Sequence, residues 1–64
     1  NLYQIEKLAI RKNQIIRTFK AYGENGITVL DTMIKAAQGS DKRPIAEVIS
    51  ILTGESVEDI ISRS

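Results

Sequence analysis

Glu58 and Asp59 are adjacent carboxylates in a 64-residue chain that holds no cysteine and no histidine. On a helix, neighbouring residues point about 100° apart, so these two are badly placed to share one proton or one metal ion. Together with Glu55 they form an acidic helix start, which the helix dipole favours without any catalytic role. The absence of histidine excludes nucleophile–histidine triads and imidazole-held zinc or haem. The absence of cysteine excludes thiolate metal sites and disulfides. Gly23-x-x-Gly26 lacks both a preceding strand and the lysine pattern of a phosphate loop, and reads as a turn. Tyr3, Phe19 and Tyr22 interleave with basic residues as in single-strand binders, but one of the three is a core candidate and the remainder are too few for a stacking platform. No catalytic residue, metal site or cofactor is expected, and the chain reads as a non-enzymatic binding module.

Charge is divided unevenly along the chain. Lys7, Arg11, Lys12, Arg17 and Lys20 stand against Glu6 alone in residues 1–22, a local balance of +4 within a chain whose net charge is +1. These five cations are a candidate basic patch. The remainder is mildly acidic, so the molecule is polarised, and one end can attract nucleic acid, an acidic partner or the other end of a second copy.

Glycine and proline fall where helix ends are needed. Leu2, Ile5 and Leu8, then Ile15, Ile16 and Phe19, keep helical spacing up to Gly23. Arg11, Lys12 and Asn13 interrupt that face, and Asn13 is a competent N-cap. Residues 1–12 are therefore either an extended or a helical lead-in to a helix over 14–22. A second helix is predicted over 27–38, stopped by Gly39. Ser40 or Asp41 can cap a third, with Pro44 in its first turn and Ile45, Val48, Ile49 and Leu52 inward. Gly54 ends it. Ser56-x-x-Asp59 is a variant capping box opening a fourth helix, with Val57, Ile60 and Ile61 inward. The expected fold is all-α: one small domain over 1–64, a bundle of three to four short helices with a helix-turn-helix-like C-terminal pair. The last helix has barely two turns and the chain opens on Asn1, which suits a piece of something longer. No apolar run reaches the roughly 20 residues of a membrane span.

The C-terminal pair has the helix and turn lengths of a DNA-reading motif. Its supposed recognition helix, however, opens with Glu58 and Asp59, which would oppose phosphates. Only Arg63 could read a guanine. The stretch from Ile45 to Ile60 (IAEVISILTGESVEDI) resembles the closing motif of tail assembly chaperones of long-tailed bacteriophages and prophages of Gram-positive hosts. Asn13 to Gly23 (NQIIRTFKAYG) is similar to the opening helix of that family. Where the family usually opens its turned motif with leucine-alanine-aspartate-leucine, this chain has Val48–Ile49–Ser50–Ile51–Leu52. The resemblance spans about residues 8–61. It implies a helper in the bacterial host cytoplasm that coats the helical tape measure protein before tail-tube subunits polymerise, with the tape measure or other tail proteins and further copies of itself as partners. The alternative is a DNA-binding helix-turn-helix module, such as a small terminase subunit or a regulator fragment.

If a helical partner docks, its anchors should sit at three- and four-residue spacing. The widest stripe is on the second helix, so Ile27, Leu30, Met33 and Ile34 are the candidate partner-binding residues, with Ile45, Val48, Ile49 and Leu52 left as core.

Overall fold

Residues Leu2–Tyr22 form one unbroken helix, α1, in a computed structural model that describes residues 2–64, the side chain of Tyr3 excepted. The lead-in is therefore helical, and Asn13 lies inside the helix rather than capping it. Lys12 bridges the gap in the apolar face. It is half-buried, as a lysine can be when its methylene stem lies along apolar surface while the ammonium reaches water.

Gly23, at φ +57°, breaks α1 into a short 3-10 turn over Gly23–Asn25. Helix α2 then runs over Gly26–Ala36. It stops two residues before the predicted end because Ala37 is already extended, its amide donating back to the Met33 carbonyl. A second 3-10 turn, Gly39–Asp41, leads into α3, Lys42–Thr53. Asp41 is itself in helical conformation and makes no side-chain cap, so the expected Asp41 cap is replaced by the 3-10 turn that feeds the helix. Pro44 occupies the first turn of α3, where its missing N–H costs nothing.

Gly54 ends α3 in the left-handed region at φ +81°, with its amide donating to the Ser50 carbonyl at 2.8 Å. That conformation is open to glycine and strained for other residues. The turn is held further by Ser50 Oγ donating to the Glu55 carbonyl at 2.6 Å and by the Glu55 amide donating to Thr53 Oγ1 at 3.3 Å. Helix α4, Val57–Arg63, starts on a real cap: Ser56 Oγ accepts from the Asp59 amide at 3.2 Å.

Helix α1 packs on α2 and α3, α2 also packs on α3, and α4 packs chiefly on α3. The fully buried residues come from every helix: Ile15 from α1, Leu30 and Ile34 from α2, Ile45, Ala46, Val48 and Ile49 from α3, and Ile60 from α4. Phe19, Met33, Val57 and Ile61 pack around this cluster. The expected all-α bundle is thus present, with no strand among the described residues.

The C-terminal helix–turn–helix pair is present too, and α4 folds back along α3. Lys42 Nζ, at the start of α3, donates to the Ser64 carbonyl at 3.2 Å. Twelve residues of α3 span about 18 Å and seven of α4 about 10 Å. Were the two perpendicular, their far ends would stand about 20 Å apart, beyond a lysine's reach. The pair is an αα-hairpin.

Candidate functional site

The predicted partner-binding stripe on α2 is divided by the structure. Leu30 and Ile34 are fully buried, and Met33 packs against the same cluster. Ile27 alone of the four is exposed. The stripe is wide because α2 meets both α1 and α3 and must bury side chains against each. It is core, and Leu30 and Ile34 have no surface to offer a partner. Leu52, expected inside, is instead 42% exposed. It sits in the last turn of α3, past the depth that α1 and α2 cover. Ile45, Val48 and Ile49 are buried as expected.

An exposed apolar stripe lies on α1. That helix is about 31 Å long, whereas its neighbours α2 and α3 are about 16 and 18 Å. Two helices of that length, packed toward its C-terminal half, leave its N-terminal half uncovered. Leu2 is 70% and Ile5 65% exposed, and Leu8 is half-buried. These three sit at three-residue steps and make one apolar stripe, continued into the bundle by Ile15, Ile16 and Phe19. The spacing of Leu2, Ile5 and Leu8 is visible in the sequence, but that the stripe projects follows only from the structure, where a helix of 21 residues packs on neighbours of 11 and 12. The projection of α1 follows from relative helix length, which the width of the α2 stripe does not reveal.

The basic residues do not form a single face. Lys7 and Arg11, four residues apart, lie within about 40° of each other around α1, whereas Arg17 and Lys20 fall about 120° and 180° from Arg11. Lys12 is turned toward the core-facing side. The structure brings Arg43 of α3 to Lys7 and Arg11, a cation that the linear charge count had placed in the acidic part. These three, with Leu8, Asp41 and Pro44, line an open groove of about 640 Å³ between the projecting half of α1 and the start of α3. None of the three cations forms an ion pair with a described residue.

The opposite end of α3 carries the reverse character. At the tip of the α3–α4 hairpin, Ile51 is 74% exposed beside Leu52, and Glu58 and Asp59 face solvent. Arg63, the one candidate guanine reader, is engaged within the chain. Its Nε donates to Glu55 Oε2 at 3.3 Å and its Nη2 to Glu55 Oε1 at 3.2 Å, and its Nη1 stands 3.9 Å from Asp31 Oδ1. This fork ties α4 to the preceding turn and to α2.

Oxygen Oε2 of Glu47 is shielded from solvent without a hydrogen-bond partner among the described residues. No group of three or more acidic side chains able to hold a metal ion occurs among the described residues. No described helix is long and apolar enough to cross a membrane.

Comparison with protein-family models, with curated proteins and with solved structures yields no match.

Proposed function

We propose that this chain is a non-enzymatic helix-binding module of the phage tail assembly chaperone type, capturing a tape measure protein or another tail protein in the host cytoplasm and associating with further copies of itself. The observation that carries the reading is the projecting half of α1. Leu2, Ile5 and Leu8 form an unpartnered apolar stripe on a helix whose other half is anchored in the bundle by Ile15. Such a face suits a second helix laid alongside it, with anchors meeting at three- and four-residue steps. The sequence resemblance over residues 8–61 supplies the identity of that second helix, since tape measure proteins are long and largely helical. The same projecting stripe replaces the α2 residues as the expected docking face.

The test is co-purification of the chain with helical fragments of a tape measure protein, comparing wild type with Leu2→Asp/Ile5→Asp. The double variant should keep its helicity by circular dichroism and lose capture. Equal capture by both proteins would remove the stripe from the mechanism. Sequence-selective duplex binding whose affinity falls by roughly one log unit per phosphate contact for each tenfold rise in salt would favour the DNA-binding alternative.

A further inference from the structure

We infer that copies of this chain associate head to tail, the hairpin tip of one (Ile51, Leu52, Glu58, Asp59) seated in the Lys7–Arg11–Arg43 groove of the next. This rests on the self-association part of the proposed function and names the surfaces that carry it.

The two surfaces match in kind and oppose in sign. The groove offers Leu8 and Pro44 as apolar lining beside three cations that form no ion pair with a described residue, against the single carboxylate of Asp41 at its rim. The tip offers Ile51 and Leu52, both exposed, in the last turn of α3, and Glu58 and Asp59 in the first turn of α4, whose carboxylates likewise form no ion pair with a described residue. Glu55 is not free to contribute, because Arg63 holds both of its oxygens.

The alternatives of the same class are repulsive. Groove against groove would set Lys7, Arg11 and Arg43 against their own copies, and tip against tip would do the same with carboxylates. Like charges brought together at an interface oppose association, so the symmetric pairings are disfavoured and the mixed one is selected.

Groove and tip lie at opposite ends of α3, Arg43 and Pro44 in its first turn and Ile51 and Leu52 in its last. Seating one copy's tip in another's groove therefore leaves an unused groove and an unused tip at the two ends of the pair. Such a contact is heterologous and continues to a ring or an open chain rather than halting at a dimer.

Sedimentation of the purified chain across micromolar concentrations tests this with charge reversals. Wild type should rise beyond dimer mass at low salt and fall back as salt screens the contact. Lys7→Glu/Arg43→Glu and, separately, Glu58→Lys/Asp59→Lys should each weaken self-association at least about tenfold. An equimolar mixture of the two should restore it, because each then presents the surface that the other lacks. Since lysines opposing the α4 dipole could unfold that helix, Glu58→Gln/Asp59→Asn and Ile51→Ser serve as milder tip variants, with circular dichroism confirming the fold. A monomeric wild type, self-association untouched by either reversal, or folded reversals that fail to rescue each other would each overturn the inference. Capture of tape measure fragments by a monomeric chain would overturn the head-to-tail contact and leave the helix-binding reading standing.

Discussion

The ring of Phe19 lies directly against the α-carbon of Gly26. A Cβ built on Gly26 would meet the Phe19 ring and would stand 2.8 Å from the Phe19 carbonyl oxygen. Gly26 has ordinary helical dihedrals, so its role is clearance rather than a left-handed turn. The α1–α2 connection needs glycine twice for two different reasons: Gly23 for its positive φ and Gly26 for close approach. Gly26→Ala should therefore lower stability by about 1–3 kcal/mol, the range for overpacking, despite alanine's better helix propensity. Thermal melts of the two proteins measure this, and a gain in midpoint would show that α1 and α2 part at no cost.

Inside and outside are tested by a pair of α2 and α3 substitutions. Leu30→Ala removes a fully buried side chain and should lose about 2–5 kcal/mol, enough to unfold much of a domain this small. Leu52→Ala, at a residue 42% exposed, should lose less than half as much. Chemical denaturation with matched slopes decides between them, and equal losses would place Leu52 in the core.

Ser56→Ala removes the acceptor of the Asp59 amide at the start of α4. A cap of this kind contributes about 1 kcal/mol. Because α4 supplies Ile60 to the core, the loss should appear in the global melt and not only as local fraying. An unchanged melting midpoint would mean that α4 is held by its packing alone.

Arg63→Ala breaks the fork to Glu55 and the contact to Asp31. All three side chains are more than a third exposed, and ion pairs of that kind contribute about 0–1 kcal/mol. A small loss that disappears in high salt is expected. A large, salt-insensitive loss would point instead to packing by the arginine stem.

Much of the architecture could be read from residue order because the punctuation is local. Gly54 needs its left-handed turn, Ser56 caps α4, and Pro44 fits only a first turn, whatever surrounds them. Ile45, Val48, Ile49 and Ile60 were legible as core for the same reason, since each repeats at helical spacing between two stops. What escaped depended on which helices meet. Leu30 and Ile34 are inside because α2 is wedged between two neighbours, and no periodicity within α2 reveals that. Arg43 joins Lys7 and Arg11 across more than thirty residues of chain, so a running charge count places it in the wrong group. Asn13 looked like a cap because capping chemistry is local, whereas the helix passes through it on the strength of apolar residues at either side.

The projecting half of α1 has a thermodynamic consequence. Among residues 2–10 no described side chain is fully buried, so a stretch of that length, marginal as an isolated helix in water, is held chiefly by backbone hydrogen bonds and propensity. Its amides should exchange with solvent far faster than those around Ile15. A partner that lands there must then supply the ordering entropy of those residues, and its affinity becomes adjustable from positions it never touches. Asn13→Ala, on the exposed side of α1, would raise helix propensity by a few tenths of a kcal/mol and should tighten capture by a corresponding fraction, through a slower off-rate and with no new contact.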